Sequence, residues 1–481
     1  MNRILSLALA GMLASSLACA ENFTQSNVDK AQEIIAVAIE AHGGDALLND
    51  LHTLTIENKT VNYSVDQSRS AEPPWDKSEA SGINAIDLDN SIFVNNAVNS
   101  GGGFESRTGT IINGEDSFQI NYRAGTVAKI AEPDFDTTSG PFVRVTPALL
   151  LRTLNDRSAN AHYLGETELD EKDYDVIGFS MTVGPAISLY FDKETHLLHR
   201  SERVFPGFGL VEYEFEDYAV ADGILFNQSF NLFLNGDPNL ERENISMKIN
   251  SPLDELIATN ASLTSIPEVQ PDPLSRQEVA DGVWLIGGNG TYAMFVDMGD
   301  YIFAAGGTGG SPDRLESLRE VVGDKPVRYG LMTHHHFDHV LAVPSYEEEG
   351  ATIIASAAHE RIIRRAANDT EGVLLKLVDD RMTLESDDQR VEIIDIGPTA
   401  HTDHLLVAYL PDEGLLFEAD HFAVPRSGPI PPAVSSTRTF ATALERLDLD
   451  VKVLLSAHSP KVGTWEDLQT ALHTEEYQAS R

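Results

Sequence analysis

Four histidines and one aspartate stand within six residues, from His334 to His339, directly after the apolar segment 328–332. The segment has the composition of a buried strand, so the polar run lies on the loop that follows it, where functional sites are usually built. In an extended loop, residues two apart share a face. His334 and His336 can therefore converge on one metal ion, while Asp338 and His339 serve another. Imidazole and carboxylate together suit zinc and also tolerate iron or manganese.

Three further candidate ligands occur later in the chain, at His401, Asp420 and His458. Each follows a short apolar segment that reads as a strand. A single histidine in such a place usually caps a loop or satisfies a buried hydrogen bond, and that alternative applies to each of these residues alone. The combined occurrence of seven candidates at strand ends favours a metal centre instead.

The ordered set of histidines and aspartates resembles that of the metallo-β-lactamase superfamily, over roughly residues 275–481. The resemblance implies two zinc ions per chain and a complete set of ligands. The first ion would be held by His334, His336 and His401, the second by Asp338, His339 and His458, with Asp420 bridging the two. Aspartate in the bridging place excludes the subclass of true β-lactamases that has cysteine there. It is typical of the branch that includes glyoxalase II-like thioesterases and lactonases.

The same resemblance implies a metal-dependent hydrolase acting on a small-molecule substrate. Two zinc ions lower the pKa of a shared water, so that a metal-bound hydroxide near neutral pH can attack a polarised carbonyl. Asp338 is the expected proton acceptor beside it. An ester, thioester, lactone or amide bond would be cleaved, and no serine nucleophile is needed, since Gly-x-Ser-x-Gly is absent from the chain.

The chain departs from the family pattern in two places. Leu341 and Ala342 stand where a Gly-Gly pair usually follows the first motif. In the family, an acidic residue commonly ends the strand before the first helix and supports the metal site from behind. This chain has Ala-Ala-Gly there, at residues 304–306. These departures leave metal ligation expected but make full activity an open question.

Four other histidines lie near the motif residues in sequence. His335 should point away from the metals, as a supporting or solvent-facing group. His359 is expected to be supporting or structural rather than a ligand. His404 and His421 are expected to be supporting or structural as well, and they are the two to test for contact with substrate.

The N-terminal half shows a different pattern. A helix is predicted over 27–42, and from 51 to 257 short alternating segments predict one curved, mainly antiparallel sheet. Residues 222–226 and 250–254 resemble the half-barrel of bacterial periplasmic lipoprotein carriers, which implies an apolar or lipid-like ligand. This domain would span 21–262, and a proline-bearing linker would follow at 263–277.

The C-terminal domain would occupy residues 278–481. Its segments predict two β-rich halves with interspersed helices, which favours an αββα sandwich. The fold class expected for the whole chain is therefore α+β, with a half-barrel-like β domain preceding the sandwich.

The first twenty residues read as an export signal. Arg3 is followed by the apolar segment 4–17 and by the small residues 18–20, which form a cleavage site. Cleavage there leaves a periplasmic or secreted chain without cysteine. In the alternative, Cys19 is a lipidated N-terminus. The apolar segment is too short to span a bilayer, and no later stretch is long enough.

Charge excludes some partners. The 75 acidic and 34 basic residues give a net charge of −41, which disfavours binding to nucleic acid or docking on anionic lipid. Two alternatives to a zinc hydrolase stay open, namely a lipid- or partner-binding protein with an inactive metallo domain and an iron-dependent, oxygen-using enzyme of the same superfamily. Alkylsulfatase or phosphodiesterase activity is a weaker option. Oligomeric state is not predicted.

Overall fold

The computed structural model describes residues 22–184, 186–205, 209–259, 261–268 and 272–477. The predicted export signal and Cys19 lie outside these ranges. Within them, no helix is both long enough and apolar enough to cross a membrane.

The first helix, α1 (Phe23–Ala41), buries one apolar face formed by residues at helical spacing. It begins at Phe23 rather than at the predicted Asn27, because the side chain of Asn22 caps it by accepting a hydrogen bond from the Gln25 amide. The helix ends at Ala41. Gly43 follows in the turn, where an added Cβ would lie 2.6 Å from the Gly223 carbonyl oxygen. The other helices of the N-terminal half are α2 (Asp45–Asn49), α3 (Phe135–Arg144), α4 (Pro147–Asp156) and α5 (Asp254–Ile257).

Fourteen of the described strands form one sheet, as the sequence predicts for this half. They are β1 (Thr53–Tyr63), β2 (Lys77–Asp87), β3 (Ile92–Gly101), β4 (Phe104–Ile112), β5 (Phe118–Asn121), β6 (Thr126–Lys129), β7 (His162–Leu169), β8 (Lys172–Phe179), β9 (Ile187–Asp192), β10 (Leu198–Phe205), β11 (Gly209–Ala221), β12 (Ile224–Leu234), β13 (Asp237–Ile249) and β14 (Thr264–Ile266). Their order is β14-β6-β5-β4-β3-β2-β1-β13-β12-β11-β10-β9-β8-β7. All neighbours are antiparallel except β14 and β6.

One large core holds this half together. Ile35 on α1 and Leu150 on α4 are buried against the sheet residues Ile56, Phe215 and Phe226. Helices α1, α3 and α4 thus cover one face of the sheet, and burial of that face fixes the register of the strands, since a slip of one residue would turn it to solvent.

The C-terminal half contains two further sheets. The first, in the order in which its strands pair, is β15 (Ser275–Ala280), β16 (Val283–Gly288), β17 (Thr291–Asp297), β18 (Ile302–Ala305), β19 (Val327–Leu331), β20 (Thr352–Ser356) and β21 (Leu375–Val378). The second is β22 (Arg381–Glu385), β23 (Arg390–Asp395), β24 (Leu406–Leu410), β25 (Leu415–Glu418), β26 (Val453–Ser456) and β27 (Gly463–Thr464). The helices are α6 (Ser311–Val322), α7 (Val343–Glu348), α8 (Glu360–Ala366), α9 (Ser435–Arg446) and α10 (Trp465–His473).

Three cores bind these elements together. Phe303 and Phe417 belong to a core shared by the two sheets. A second core packs the first sheet against α6, α7 and α8, with Tyr346 at its centre, and a third packs the other sheet against α9 and α10 around Phe440.

The predicted linker at 263–277 is partly regular structure. Residues 264–266 form β14, which pairs with β6, and β15 begins at Ser275 and pairs with β16. The sequence pattern missed both strands because each is short and largely exposed, so neither shows an alternation of apolar and polar residues. The domain boundaries themselves remain a prediction.

Candidate metal centre

The loops that follow four strands bring the predicted ligands together. The run from His334 to His339 follows β19, and its last three residues form a 3-10 turn. His401 lies on the connection from β23 to β24. The parallel pair β25 and β26 places Asp420 and His458 at the same sheet edge. Asp420 has φ +66°, a conformation that costs energy outside glycine and is found most often at functional sites.

The first group of side chains comprises His334, His336, His401 and Asp420. The Nε2 atoms of His334 and His401 are 3.3 Å apart and lie 3.2 and 3.1 Å from Asp420 Oδ2. One ring nitrogen of His336, Nδ1, is buried and has no hydrogen-bond partner among the described residues.

The second group comprises Asp338, His339 and His458. His339 Nε2 lies 3.3 Å from Asp338 Oδ2 and 3.3 Å from His458 Nε2. Asp420 contacts this group as well, since its Oδ2 is 2.8 Å from His339 Nε2 and its Oδ1 is 2.8 Å from His458 Nε2. Asp420 therefore stands between the two groups.

Backbone carbonyls fix the tautomers of three of these histidines. Ser68 O accepts from His336 Nε2 at 2.9 Å, and Gly102 O accepts from His401 Nδ1 at 2.6 Å. Gly290 O lies 3.2 Å from His458 Nδ1. Because a carbonyl oxygen only accepts, each ring carries its proton on that nitrogen and turns the lone pair of the other toward the cluster.

This arrangement fits divalent metal ions. Pairs of imidazole nitrogens facing each other at 3.3 Å repel unless a proton or a cation lies between them. The donor sets of three imidazoles with a carboxylate, and of two imidazoles with carboxylates, are those that zinc prefers. The hydrogen bonds from the outer ring nitrogens to carbonyls are the support that ligating histidines require.

The pKa shifts of these side chains also fit bound divalent metal ions. Burial opposes ionisation of Asp420, yet the neighbouring His339 and the hydrogen bonds from the surrounding imidazoles hold its pKa well below its usual range. Burial likewise opposes a charge on His339, but Asp420 and Asp338 raise its pKa to about 10. Burial lowers the pKa of His334 well below its usual range. A proton on His339 and a metal ion would serve the same purpose, which is to compensate the two carboxylates.

The described part of the N-terminal half supplies three hydrogen bonds to these side chains, and sequence reasoning found none of them. Gln67 Nε2 donates to Asp338 Oδ1 at 3.0 Å. Ser68, the next residue, provides the carbonyl that holds His336, and Gly102 the one that holds His401. Gln67 and Ser68 lie on the loop between β1 and β2, and Gly102 lies in the turn between β3 and β4. No motif marks such contacts, because each joins residues more than 250 positions apart.

The turn between β3 and β4 can approach the centre because it consists of glycines. Gly103 has φ +83°, and an added Cβ would lie 2.9 Å from Ser436 Cβ and 3.0 Å from the carbonyl carbon of Ala400. The Gly103 carbonyl accepts from the Ser436 amide at 2.9 Å, at the start of α9. The next residue, Phe104, sets its ring edge-on to His401, with centroids 5.0 Å apart.

Ion pairs and backbone hydrogen bonds hold the loop between β1 and β2 against the C-terminal half. Arg69 pairs with Asp403 at 2.6 Å, and Asp66 pairs with Arg365 at 2.7 Å. The carbonyl of Asp66 also accepts from the Phe337 amide at 3.2 Å.

His335 is not solvent-facing, as one of the sequence expectations had it. Its side chain is buried, and neither ring nitrogen has a partner that meets hydrogen-bond geometry among the described residues. The reason is the loop between β1 and β2, which covers this stretch and could not be foreseen from the local pattern. The buried ring of His359 packs against it at a tilt, with ring centroids 4.7 Å apart.

His421 and His404 lie near the metal centre, but ring nitrogens of both contact other groups. Both ring nitrogens of His421 are engaged, with the Ala419 carbonyl at 2.6 Å and Thr399 Oγ1 at 2.9 Å. Burial lowers the pKa of His421 to about 3. His404 is half-exposed, and its Nδ1 lies 2.7 Å from Asp395 Oδ2.

The two departures from the family pattern have visible consequences. Ala305 is buried in the core between the sheets and offers no acceptor, and His339 Nδ1 is buried without a partner among the described residues. The Ala342 amide donates to the Gly307 carbonyl at 2.8 Å. An added Cβ on Gly307 would collide with the His339 carbonyl. Glycine at position 307 therefore lets the loop from His334 to His339 pack closely against this backbone.

Glu418 is a buried carboxylate that the sequence analysis did not single out. It accepts hydrogen bonds from the amides of His421 at 2.9 Å and Phe422 at 3.3 Å, and so shapes the loop that carries Asp420. Burial raises the pKa of Glu418 to about 8.

A cavity of about 380 Å³ opens beside Asp420 and His458. We call it the metal-side cavity. Both halves of the chain line it, with Phe104 and Arg107 on one side and Phe422 on the other. A substrate held there would lie against the cluster.

Comparisons with known proteins agree with this geometry. The family model described as "Metallo-beta-lactamase superfamily" matches residues 301–458, a range that includes all seven candidate ligands. A search of curated proteins gave no match.

Several metallo-β-lactamases are among the solved structures that align with the chain. One from Pontibacter korlensis is 19% identical, with 41% of this chain and 97% of that chain covered and a TM-score of 0.34. The mono-zinc form of one from Pseudomonas aeruginosa is 19% identical, with 41% and 93% covered and a TM-score of 0.33. One from Hirschia baltica is 17% identical, with 41% and 96% covered and a TM-score of 0.33.

The assignment therefore rests on the family model and on the His/Asp cluster. The C-terminal region of this chain contains a metallo-β-lactamase superfamily domain with a site suited to divalent metal ions.

Proposed function

We propose that the chain is an exported dinuclear zinc hydrolase that cleaves an ester, thioester, lactone or amide bond. The observation that carries this proposal is the position of Asp420, whose two carboxylate oxygens contact both groups of ligands. One carboxylate shared in this way is what a pair of ions needs, and the family match supports a metal-dependent hydrolase in general.

Each side chain has a role in this proposal. One ion would be held by His334, His336 and His401, the other by Asp338, His339 and His458, and both by Asp420. When bound, zinc supplies Lewis acidity and a water whose pKa is lowered toward about 7. Gln67 holds Oδ1 of Asp338, so that Oδ2 faces the cluster and can take up a proton there.

The metal-side cavity would hold the substrate. Phe104 and Phe422 offer apolar walls, while Arg107 adds a positive charge. A carbonyl placed against Asp420 and His458 in this cavity would be close to the cluster and partly shielded from solvent. Aspartate rather than cysteine between the two groups favours the thioesterase and lactonase branch over the β-lactamases that have cysteine there.

The proposal includes the fold of each half of the chain. Two sheets that share one core, with helices packed on the outer face of each, have the layer order of an αββα sandwich over 278–481. The N-terminal sheet, over 21–262, would be a half-barrel-like domain for an apolar or lipid-like ligand. Export would follow from the signal at 1–20. N-terminal analysis of the mature protein tests export: a chain beginning at Glu21 supports it, lipid on Cys19 supports the anchored alternative, and an intact Met1 contradicts both.

Activity is tested on zinc-loaded protein with a panel of esters, thioesters, lactones and a chromogenic β-lactam. We expect hydrolysis of at least one of the first three, abolished in His336→Ala and in Asp420→Ala. His52→Ala serves as the matched control, because His52 is an exposed histidine in the N-terminal half, paired with Asp89. Zinc-loaded protein that hydrolyses nothing, or variants as active as the parent, would contradict the proposal.

A second candidate function is ligand binding with an inactive metallo domain. Ala305 and the unpartnered Nδ1 of His339 favour it, because the usual support behind the metal site is missing. Metal analysis distinguishes the candidates. Zinc with turnover supports the hydrolase, iron with oxygen consumption supports the oxygen-using enzyme, and absence of metal after reconstitution supports the inactive domain.

A further inference from the structure

A second cavity, of about 420 Å³, lies in the N-terminal half between the sheet and helix α3. We call it the sheet cavity. Its apolar walls are formed by aromatic side chains, among them Phe93, Phe142 and Phe230, and by Leu232 and Leu240. Asparagine, serine and threonine side chains provide most of the remaining lining. A concave, largely apolar site with a few polar groups is the usual form of a small-molecule site.

The sheet cavity differs from the rest of this chain in its charge. The chain has 75 acidic residues, yet no aspartate or glutamate lines the sheet cavity, and its one charged lining residue is Arg242. An adjoining cavity shares Tyr213 with it and contains Arg203. The single carboxylate in that second lining, Asp66, is paired with Arg365.

Three arginines lie on the elements that meet around these two cavities. Arg203 and Arg242 lie on β10 and β13, on the sheet face that carries Tyr213, and Arg144 is the last residue of α3, which covers that face. Burial lowers the pKa of Arg144, and the nearby Arg203 lowers it further.

These three arginines have no acidic partner among the described residues. The Nε atoms of Arg144 and Arg203 are buried and unpartnered. Arg242 donates to Thr60 Oγ1 at 3.0 Å and lies 5.2 Å from the centre of the Phe230 ring. By contrast, Arg200 on the same sheet pairs with three glutamates. Partly buried cations are usually paired with an acidic group, and none of these three forms an ion pair with a described carboxylate.

We infer that the sheet cavity binds an organic anion that has an apolar body and a carboxylate head. The head would lie among Arg144, Arg203 and Arg242, where bidentate hydrogen bonds from guanidinium groups are available, and the body against Phe142 and Phe230. This inference rests on the proposed ligand-binding role of the N-terminal sheet and is independent of the hydrolase.

Binding is tested by titration calorimetry of the full chain with hexadecanoate and with hexadecanol, which has the same body but no charge. We expect hexadecanoate to bind at least about tenfold more tightly, as charge-assisted hydrogen bonds predict. Arg144→Met with Arg203→Met, and Arg242→Met alone, should each remove this preference and leave hexadecanol binding unchanged.

The matched control is Arg328→Met. Arg328 is an exposed arginine that contacts the rings of Tyr301 and Tyr329 and lies far along the chain from the cavity. The Arg328→Met variant should bind hexadecanoate with the same affinity as the parent protein. Equal affinity for acid and alcohol, or no effect of the Arg242 and Arg144 substitutions, would overturn the inference. Because binding is measured on metal-free protein, its failure is distinct from failure of the hydrolase proposal, which the substrate panel detects.

Discussion

The contact between Gln67 and Asp338 gives the sharpest prediction about how the two halves cooperate. Gln67→Leu keeps the size of the side chain but removes the hydrogen bond of 3.0 Å to Asp338 Oδ1. Asp338 is then free to turn away from His339. We expect weaker binding of the ion assigned to Asp338, His339 and His458, and little change at the other group.

The magnitude follows from the type of bond. Hydrogen bonds to charged groups contribute about 1.5–3 kcal/mol, and loss of a partner behind a metal ligand typically costs about 10–100-fold in metal affinity. Asp338 keeps 34% of its side chain exposed, so water can replace part of the lost bond. The lower end of the range, about tenfold, is therefore the expected loss.

Zinc affinity is measured by competition with a chromophoric chelator, resolving the two binding steps. Gln119→Leu is the matched control, because Gln119 is an exposed glutamine on β5. The control should bind zinc like the parent. Unchanged affinity at both steps in Gln67→Leu would refute the idea that the N-terminal half positions a ligand, and an equal loss at both steps would point to general destabilisation instead.

Two further predictions concern stability. Gly103→Val should lower the free energy of unfolding by about 2–4 kcal/mol and weaken zinc binding by the group that contains His401. The reason is that a branched side chain at φ +83° is strained and would collide with Ser436 and Ala400. Urea unfolding and zinc competition measure the two effects, and a variant as stable as the parent would contradict the prediction. Burial lowers the pKa of His42 to about 4, so below pH 6.5 the unfolded chain takes up a proton that the folded chain does not. The parent should therefore lose stability between pH 6.5 and pH 4 by up to about 3 kcal/mol more than His42→Asn, and parallel unfolding curves for the two proteins over that range would exclude this role.

The metal-centre candidates could be chosen from the sequence because each lies on the loop that follows a strand. A short apolar segment ending in a polar run is a local signal, and it marked all seven side chains that the structure brings together. Their order along the chain also resembled the ligand order of the metallo-β-lactamase superfamily, which a single histidine could not indicate. The assignment of each as a ligand stays a prediction, because no bound ion tests it.

Other features left no local signal. The helices α3 and α4 were missed. The apolar residues of α4 include the continuous run Ala148 to Leu151, and such a run does not by itself distinguish a buried helix from a buried strand. Gln67, Ser68 and Gly102 could not be found, because their role arises only when the two halves pack together.

Metal stoichiometry tests the central claim most directly, since the claim is that one aspartate joins two sets of ligands. Zinc-reconstituted protein, freed of excess metal and analysed by mass spectrometry, is expected to hold two zinc ions per chain. Asp420→Ala is expected to lose at least one of them, while His52→Ala keeps both. A parent that holds no zinc, or an Asp420→Ala variant that keeps two ions with unchanged affinity, would contradict the account.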